Sequence, residues 1–248
     1  MVGRRTFVGG VGFGLIAASL LISAQQLPKV HRIGCLLPYR GTSDEELMSI
    51  GVMHEGLRAL GWVEGRNLNI EYRSAENRPE RYDQLAHELV ALNVDLIVAI
   101  TTNAVTAAKT ATGSIPIVML SGYDPVKFGL VVSLGRPGGN VTGVAFPTID
   151  WGKWLELVGE SLSGATRVAV IGNPSNRLYA DYVAQNEAAA KVLGLRLQML
   201  PVARAEQFDE AFVAIKREKA DALVVGPDSL YTSRMQEISD RASTSRLP

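Results

Sequence analysis

The feature that most limits what this chain can fold into is an internal repeat of long period. Glu80-Arg81-Tyr82-Asp83 is echoed by Glu206-Gln207-Phe208-Asp209, and Val94-Asp95-Leu96-Ile97-Val98 by Ala220-Asp221-Ala222-Leu223-Val224. Positions 80 and 206, 82 and 208, 83 and 209, and 95 and 221 are each 126 apart. Earlier segments correspond too: Arg32-Ile33-Gly34-Cys35-Leu36 with Arg167-Val168-Ala169-Val170-Ile171, and Ala59-Leu60-Gly61 with Val192-Leu193-Gly194. A fixed offset across separated blocks favours two similar substructures over one continuous sheet.

Within each copy, short apolar runs alternate with longer segments of helical period, the pattern of a parallel-sheet α/β architecture. Strands are expected at Arg32–Leu37, Leu68–Tyr72, Asp95–Ile100, Ile115–Leu120, Arg167–Ile171, Leu195–Leu200 and Asp221–Val225. Helices are expected at Glu45–Leu60, Pro79–Leu92, Asn103–Thr110, Trp151–Leu162, Asn176–Leu193, Glu206–Arg217 and Ser229–Ala242. Met53, Leu57 and Leu60 are spaced for one buried helix face. The fold class is therefore α/β, with two similar doubly wound parallel-sheet lobes joined by a hinge, at residues 30–145 and 146–248. The join falls near Ser121–Pro147, a stretch rich in Gly and Pro that reads as turns and crossings. The second lobe reads as incomplete, because the Ile115–Leu120 strand has no counterpart after Leu247-Pro248.

The chain's start is of another kind. Arg4 and Arg5 precede an apolar run from Phe7 to Ile22 that ends in Ser23-Ala24, the order of a secretory signal. The run contains four glycines and falls short of the about 20 apolar residues that a membrane span needs. Residues 1–24 thus read as a cleaved signal peptide, leaving no permanent membrane span and implying a periplasmic location. The arginine pair before Thr6-Phe7 also resembles a twin-arginine export signal. The 25 basic and 25 acidic residues cancel, so no net field draws the chain to nucleic acid. Cys35 is the single cysteine; it permits neither an intramolecular disulfide nor a cysteine metal cluster, and reads as a buried strand residue.

Three stretches carry a family resemblance: Arg32-Ile33-Gly34, Gly56-Leu57-Arg58-Ala59-Leu60-Gly61-Trp62-Val63-Glu64-Gly65-Arg66-Asn67, and Arg136-Pro137-Gly138-Gly139-Asn140-Val141-Thr142-Gly143. On these the chain resembles the substrate-binding proteins of bacterial ABC transporters, specifically the family with the periplasmic-binding-protein type I fold that includes tryptophan-binding members. Asp124-Pro125-Val126 and Asn173-Pro174 resemble family positions as well, whereas Cys35 stands where an aromatic residue is expected. The resemblance implies a small-molecule ligand, an amino acid or similar small organic anion, and an ABC transporter membrane permease as partner. It also implies a longer chain than this one.

In open α/β sheets, ligands bind beyond the carboxyl ends of the strands, where helix N-termini present free N–H groups. The third strand is followed by Thr101-Thr102-Asn103, short polar side chains that can cap a helix or receive a carboxylate. The other such loops offer Tyr39, Thr42 and Ser43 in the first lobe and Asn173, Asn176 and Asp228 in the second. Asp124 belongs to the crossing segment, where it could face an ammonium or form a turn with Pro125. His31, His54 and His87 have neither metal-ligand spacing nor a nucleophile motif beside them, and Asp95 and Asp221 open strands at the opposite edge. No catalytic residue, metal site or cofactor is expected. An alternative role is a periplasmic ligand sensor that presents its bound form to a membrane receptor; it would use the same cleft.

Overall fold

Apolar runs buried on both faces are what a parallel sheet requires, since its crossover helices cover both sides. The structure, a computed structural model, describes residues 29–39, 44–146 and 150–248. The expected signal at 1–24 and the candidate residues Thr42 and Ser43 lie outside the described residues.

The first sheet is parallel throughout, in the order β2-β1-β3-β4-β5. Its strands are β1 (His31–Leu37), β2 (Leu68–Ser74), β3 (Leu96–Ala99), β4 (Ile117–Tyr123) and β5 (Val141–Phe146). The period of two sends Ile33, Cys35 and Leu37 to one face, where Met53 and Leu57 of α1 (Asp44–Ala59) pack on them. Leu36, Ile97 and Ile117 join the opposite core under α2 (Tyr82–Ala91) and α3 (Thr102–Ala111). Leu60, expected on the buried face of α1, lies beyond its last turn and is exposed.

The second sheet, in the order β7-β6-β8, is also parallel and consists of β6 (Arg167–Gly172), β7 (Arg196–Pro201) and β8 (Ala222–Val225). One face carries α4 (Gly152–Ser161) and α5 (Tyr179–Leu193) over a core of Trp151, Leu155, Val168 and Tyr182. The other carries α6 (Phe208–Glu218), α7 (Ser229–Thr232) and α8 (Met235–Thr244) over Phe208, Phe212, Ile215, Tyr231 and Ile238.

The repeat is carried into the backbone. The single-turn helices Pro79–Arg81 and Ala205–Gln207, the starts of α2 and α6, and the strands β3 and β8 all keep the 126 offset. Asp95 and Asp221 do the same work in each copy: Asp95 Oδ2 accepts from Arg32 N at 2.9 Å and Asp221 Oδ2 from Arg167 N at 2.9 Å. Both also donate their own N–H to the carbonyl of that arginine, at 2.8 Å. Each aspartate thereby ties the start of its own strand to the start of the neighbouring one, β1 in the first lobe and β6 in the second.

Two further expectations need correction. Val141–Phe146, read as part of the join, is a fifth strand pairing with β4. The segment expected as one helix over Ser229–Ala242 breaks at Ser233-Arg234 into α7 and α8. There Ser233 Oγ donates to Leu230 O at 2.9 Å and accepts from Asn77 Nδ2 of the first lobe at 3.1 Å.

Candidate functional site

The carboxyl ends of both sheets open on one cavity of about 340 Å³. From the first lobe it is lined by Pro38 and Tyr39 after β1, Asn77 and Pro79 after β2, Tyr82 of α2, Ile100 to Asn103 after β3, Tyr123 of β4 and Phe146 of β5. The second lobe contributes Asn176 and Leu178 after β6, Pro227 to Ser229 after β8, and Thr232 and Ser233 at the α7–α8 break.

Thr101, Thr102 and Asn103 take three different roles. Thr101 is the N-cap of α3, its Oγ1 accepting from Ala104 N at 3.3 Å, and its hydroxyl also contacts the Tyr82 hydroxyl at 3.4 Å. Its backbone, at φ 88 and ψ 152, lies in a region that side chains other than glycine's rarely allow. Thr102 is buried, and its Oγ1 accepts from Tyr123 N at 3.1 Å, tying α3 to β4. Asn103 reaches across the cleft to donate to Ser175 O at 3.3 Å, while its buried Oδ1 has no partner. Asn77 repeats that arrangement: Nδ2 is spent on Ser233, and Oδ1 is buried without a partner. A buried amide oxygen left unpaired costs about 1–3 kcal/mol relative to a satisfied one, so both favour an incoming hydrogen-bond donor.

The second lobe supplies a fixed acid. Asp228 Oδ1 accepts from Asn173 Nδ2 at 3.1 Å and from Leu230 N at 2.9 Å, capping α7, while Oδ2 accepts from Asn176 Nδ2 at 2.8 Å. The two asparagines are themselves fixed, Asn173 Oδ1 by Ser175 N at 2.9 Å and Asn176 Oδ1 by Leu178 N at 3.0 Å. The remaining wall is aromatic. Tyr123 and Phe146 stack with centroids 5.1 Å apart, and Tyr39 and Tyr82 face the same space. Burial pushes the Tyr82 phenol above its ordinary pKa and Asp228 adds to that, against the Thr101 hydrogen bond, so this ring presents a neutral hydroxyl. Tyr123 is raised by burial as well.

Of the residues chosen from sequence, the cavity gathers Tyr39, Thr101, Thr102, Asn103, Asn176 and Asp228. Asn173 is buried behind the wall and acts on Asp228. Asp124 is not in the lining: its Oδ1 accepts from Lys127 N at 3.1 Å, its φ is 40, and it shapes a turn. Sequence reasoning passed over Asn77, Tyr82, Tyr123, Phe146 and Ser233. Asn77 and Tyr123 follow from the same strand-end rule applied to β2 and β4. Phe146 was hidden with its strand, and Ser233 by the continuous helical pattern around it.

The site can be set beside known proteins. A family model described as "ABC transporter substrate binding protein" matches residues 43–248. A tyrosine-binding protein of Clostridioides difficile (strain R20291) is 33% identical over 195 residues, covering 78% of this chain, which in turn spans 56% of that relative's length. Among solved structures, the ABC domain in complex with L-Trp from Streptococcus pneumonia superposes with a TM-score of 0.73 at 25% identity, over 88% of this chain and 72% of the other. The ligand-free, open structure of a substrate-binding protein with adhesive properties from Clostridium difficile gives 0.55 at 26% identity, over 88% and 73%. The fold of two parallel-sheet lobes is that of the periplasmic-binding-protein type I structures. The matched residues take in most of the chain and every described element of the cavity after β1, and the protein belongs to the family of ABC transporter substrate binding proteins.

Proposed function

We propose that this chain is the solute-binding component of an ABC importer and holds a small carboxylate ligand, an amino acid with an aromatic side chain, between its lobes. The observation that carries this reading is the two-sided lining of the cavity. The N-terminus of α3, at Thr101 to Asn103, suits a carboxylate, which its N–H groups and helix dipole stabilise there, while the unpaired Oδ1 of Asn103 suits a ligand donor such as the ammonium. Across the cleft, the Asp228 carboxylate suits an ammonium. Tyr39, Tyr82, Tyr123 and Phe146 offer a ring the offset or edge-on contacts that aromatic pairs prefer. Contacts from both lobes let binding energy favour the closed arrangement over the open one. The relatives named for tyrosine binding and solved with L-Trp support the same ligand class.

In this reading residues 1–24 direct export to the periplasm, the two lobes divide just after β5, one residue beyond the expected boundary between 145 and 146, and a membrane permease receives the ligand. Thr42 and Ser43, which follow Tyr39 in the sequence, are proposed as further ligand contacts. Asn173 holds Asp228 in place from behind. Calorimetric titration with L-tyrosine, L-tryptophan and L-phenylalanine tests the assignment. Saturable binding that Asp228→Asn weakens by about tenfold or more, the loss of one charge-assisted contact, supports it. No binding of any of the three, with a thermal shift from a different metabolite class, removes the aromatic amino acid as ligand.

A further inference from the structure

One contact between the lobes lies outside the cavity. Lys127 Nζ pairs with Asp181 Oδ2, and neither residue lines the site. Lys127 belongs to the first lobe. Its loop is folded on itself through Lys127 N to Asp124 Oδ1 at 3.1 Å and Leu130 N to Pro125 O at 2.8 Å, and Lys109 Nζ of α3 anchors it by donating to Leu130 O at 3.1 Å. Leu130 and Val131 are buried in the first lobe's core. Asp181 belongs to the second lobe, in the first turn of α5, where a negative charge is favoured by the helix dipole. Both partners therefore sit on rigid supports, and they meet only when the lobes hold this mutual angle.

We infer that Lys127 and Asp181 form a latch that raises the closed fraction of the ligand-free protein and so tightens binding from outside the cavity. The inference rests on the two-lobe binding reading, and its size follows from exposure. Lys127 is half exposed and Asp181 one-third exposed, so the pair is partly screened. A pair of this kind is worth about two- to fivefold in an equilibrium constant, and apparent affinity scales with the fraction of protein already in the competent state.

The test is a charge-swap cycle on the full chain: Lys127→Asp, Asp181→Lys and the double variant. Spin labels are placed on Ala91→Cys and Lys191→Cys, exposed positions in the first and second lobes, while the buried Cys35 stays unlabelled. In the ligand-free protein each single reversal should deplete the short inter-label distance, the double variant should recover it, and added salt should mimic the reversals in the wild type. L-tryptophan affinity should fall about three- to tenfold in each single variant, because a like-charge pair replaces an attractive one, and return in the double. If the wild type does not bind L-tryptophan but the distances follow the cycle, the latch stands and the ligand assignment alone fails. Identical distance distributions in all four proteins, or a double variant that stays as open as the singles, overturn the latch even if L-tryptophan binds.

Discussion

Thr101 is the residue at which local strain and the proposed ligand site coincide. Its backbone conformation costs about 1–3 kcal/mol for a side chain with a branched Cβ, and it persists because the hydroxyl caps α3 and meets Tyr82. Thr101→Gly relieves the strain and loses only a few tenths of a kcal/mol of capping. It should therefore melt about 1–2 kcal/mol more stable while binding ligand more weakly, and a melting curve beside a calorimetric titration reads both. Asn103→Ala should weaken binding without the gain in stability, since Asn103 is not the cap. Affinity falls by about 1–3 kcal/mol and the melting temperature hardly moves. The sequence placed three short polar residues at this helix start, but all three types can cap a helix. Only packing against Tyr82, Tyr123 and Ser175 decided which one did. Asp221 offers a third test. The N–H groups of Thr166 and Arg167 hold its carboxyl below the ordinary value. A group with a lowered folded-state pKa contributes stability above its unfolded value, about 3.9, and loses that contribution as pH falls through the folded value. Asp221→Asn should lower the melting temperature at neutral pH, and its gap from wild type should close below about pH 4 in melts run across the acid range.

At the scale of elements, the strands that were legible are those buried on both faces, such as β1, β3 and β6, whose runs of Val, Ile and Leu have one reading. β5 was not, because Val141 is its one fully buried residue and a glycine interrupts it. That glycine is structurally required. Gly143 has φ 133, and a Cβ there would lie 2.0 Å from the Met119 carbonyl oxygen, beside the irregular register between β4 and β5. Backbone cannot swing aside as a side chain can, so Gly143→Ala should cost about 1–3 kcal/mol in urea unfolding and loosen the edge that carries Phe146. The break between α7 and α8 was illegible for a different reason. The Asn77 side chain that meets the break at Ser233 comes from 156 positions earlier in the chain.

The whole molecule was legible where it repeats and illegible where the copies meet. A 126-residue offset carries the turn before each second helix, the strands β3 and β8 and the aspartates that precede them, all of which are local to a lobe. Asn77 with Ser233, Asn103 with Ser175 and Lys127 with Asp181 join lobes whose relative angle no periodicity encodes. Tyr123 is one of these joints. It ends β4, stacks on Phe146 in the cavity wall, and packs 6.0 Å from the ring of Trp151, which is buried against Tyr182 of the second lobe. The protein thus contains its own optical reporter. Trp62 and Trp154 are partly exposed, so Trp151 should supply the short-wavelength emission of the chain. A ligand that moves Tyr123 or Phe146 should change that emission, and L-tyrosine, which adds no indole signal, is the probe to use. Trp151→Phe should remove the response while titration calorimetry still registers binding, leaving fluorescence free to follow lobe closure in real time.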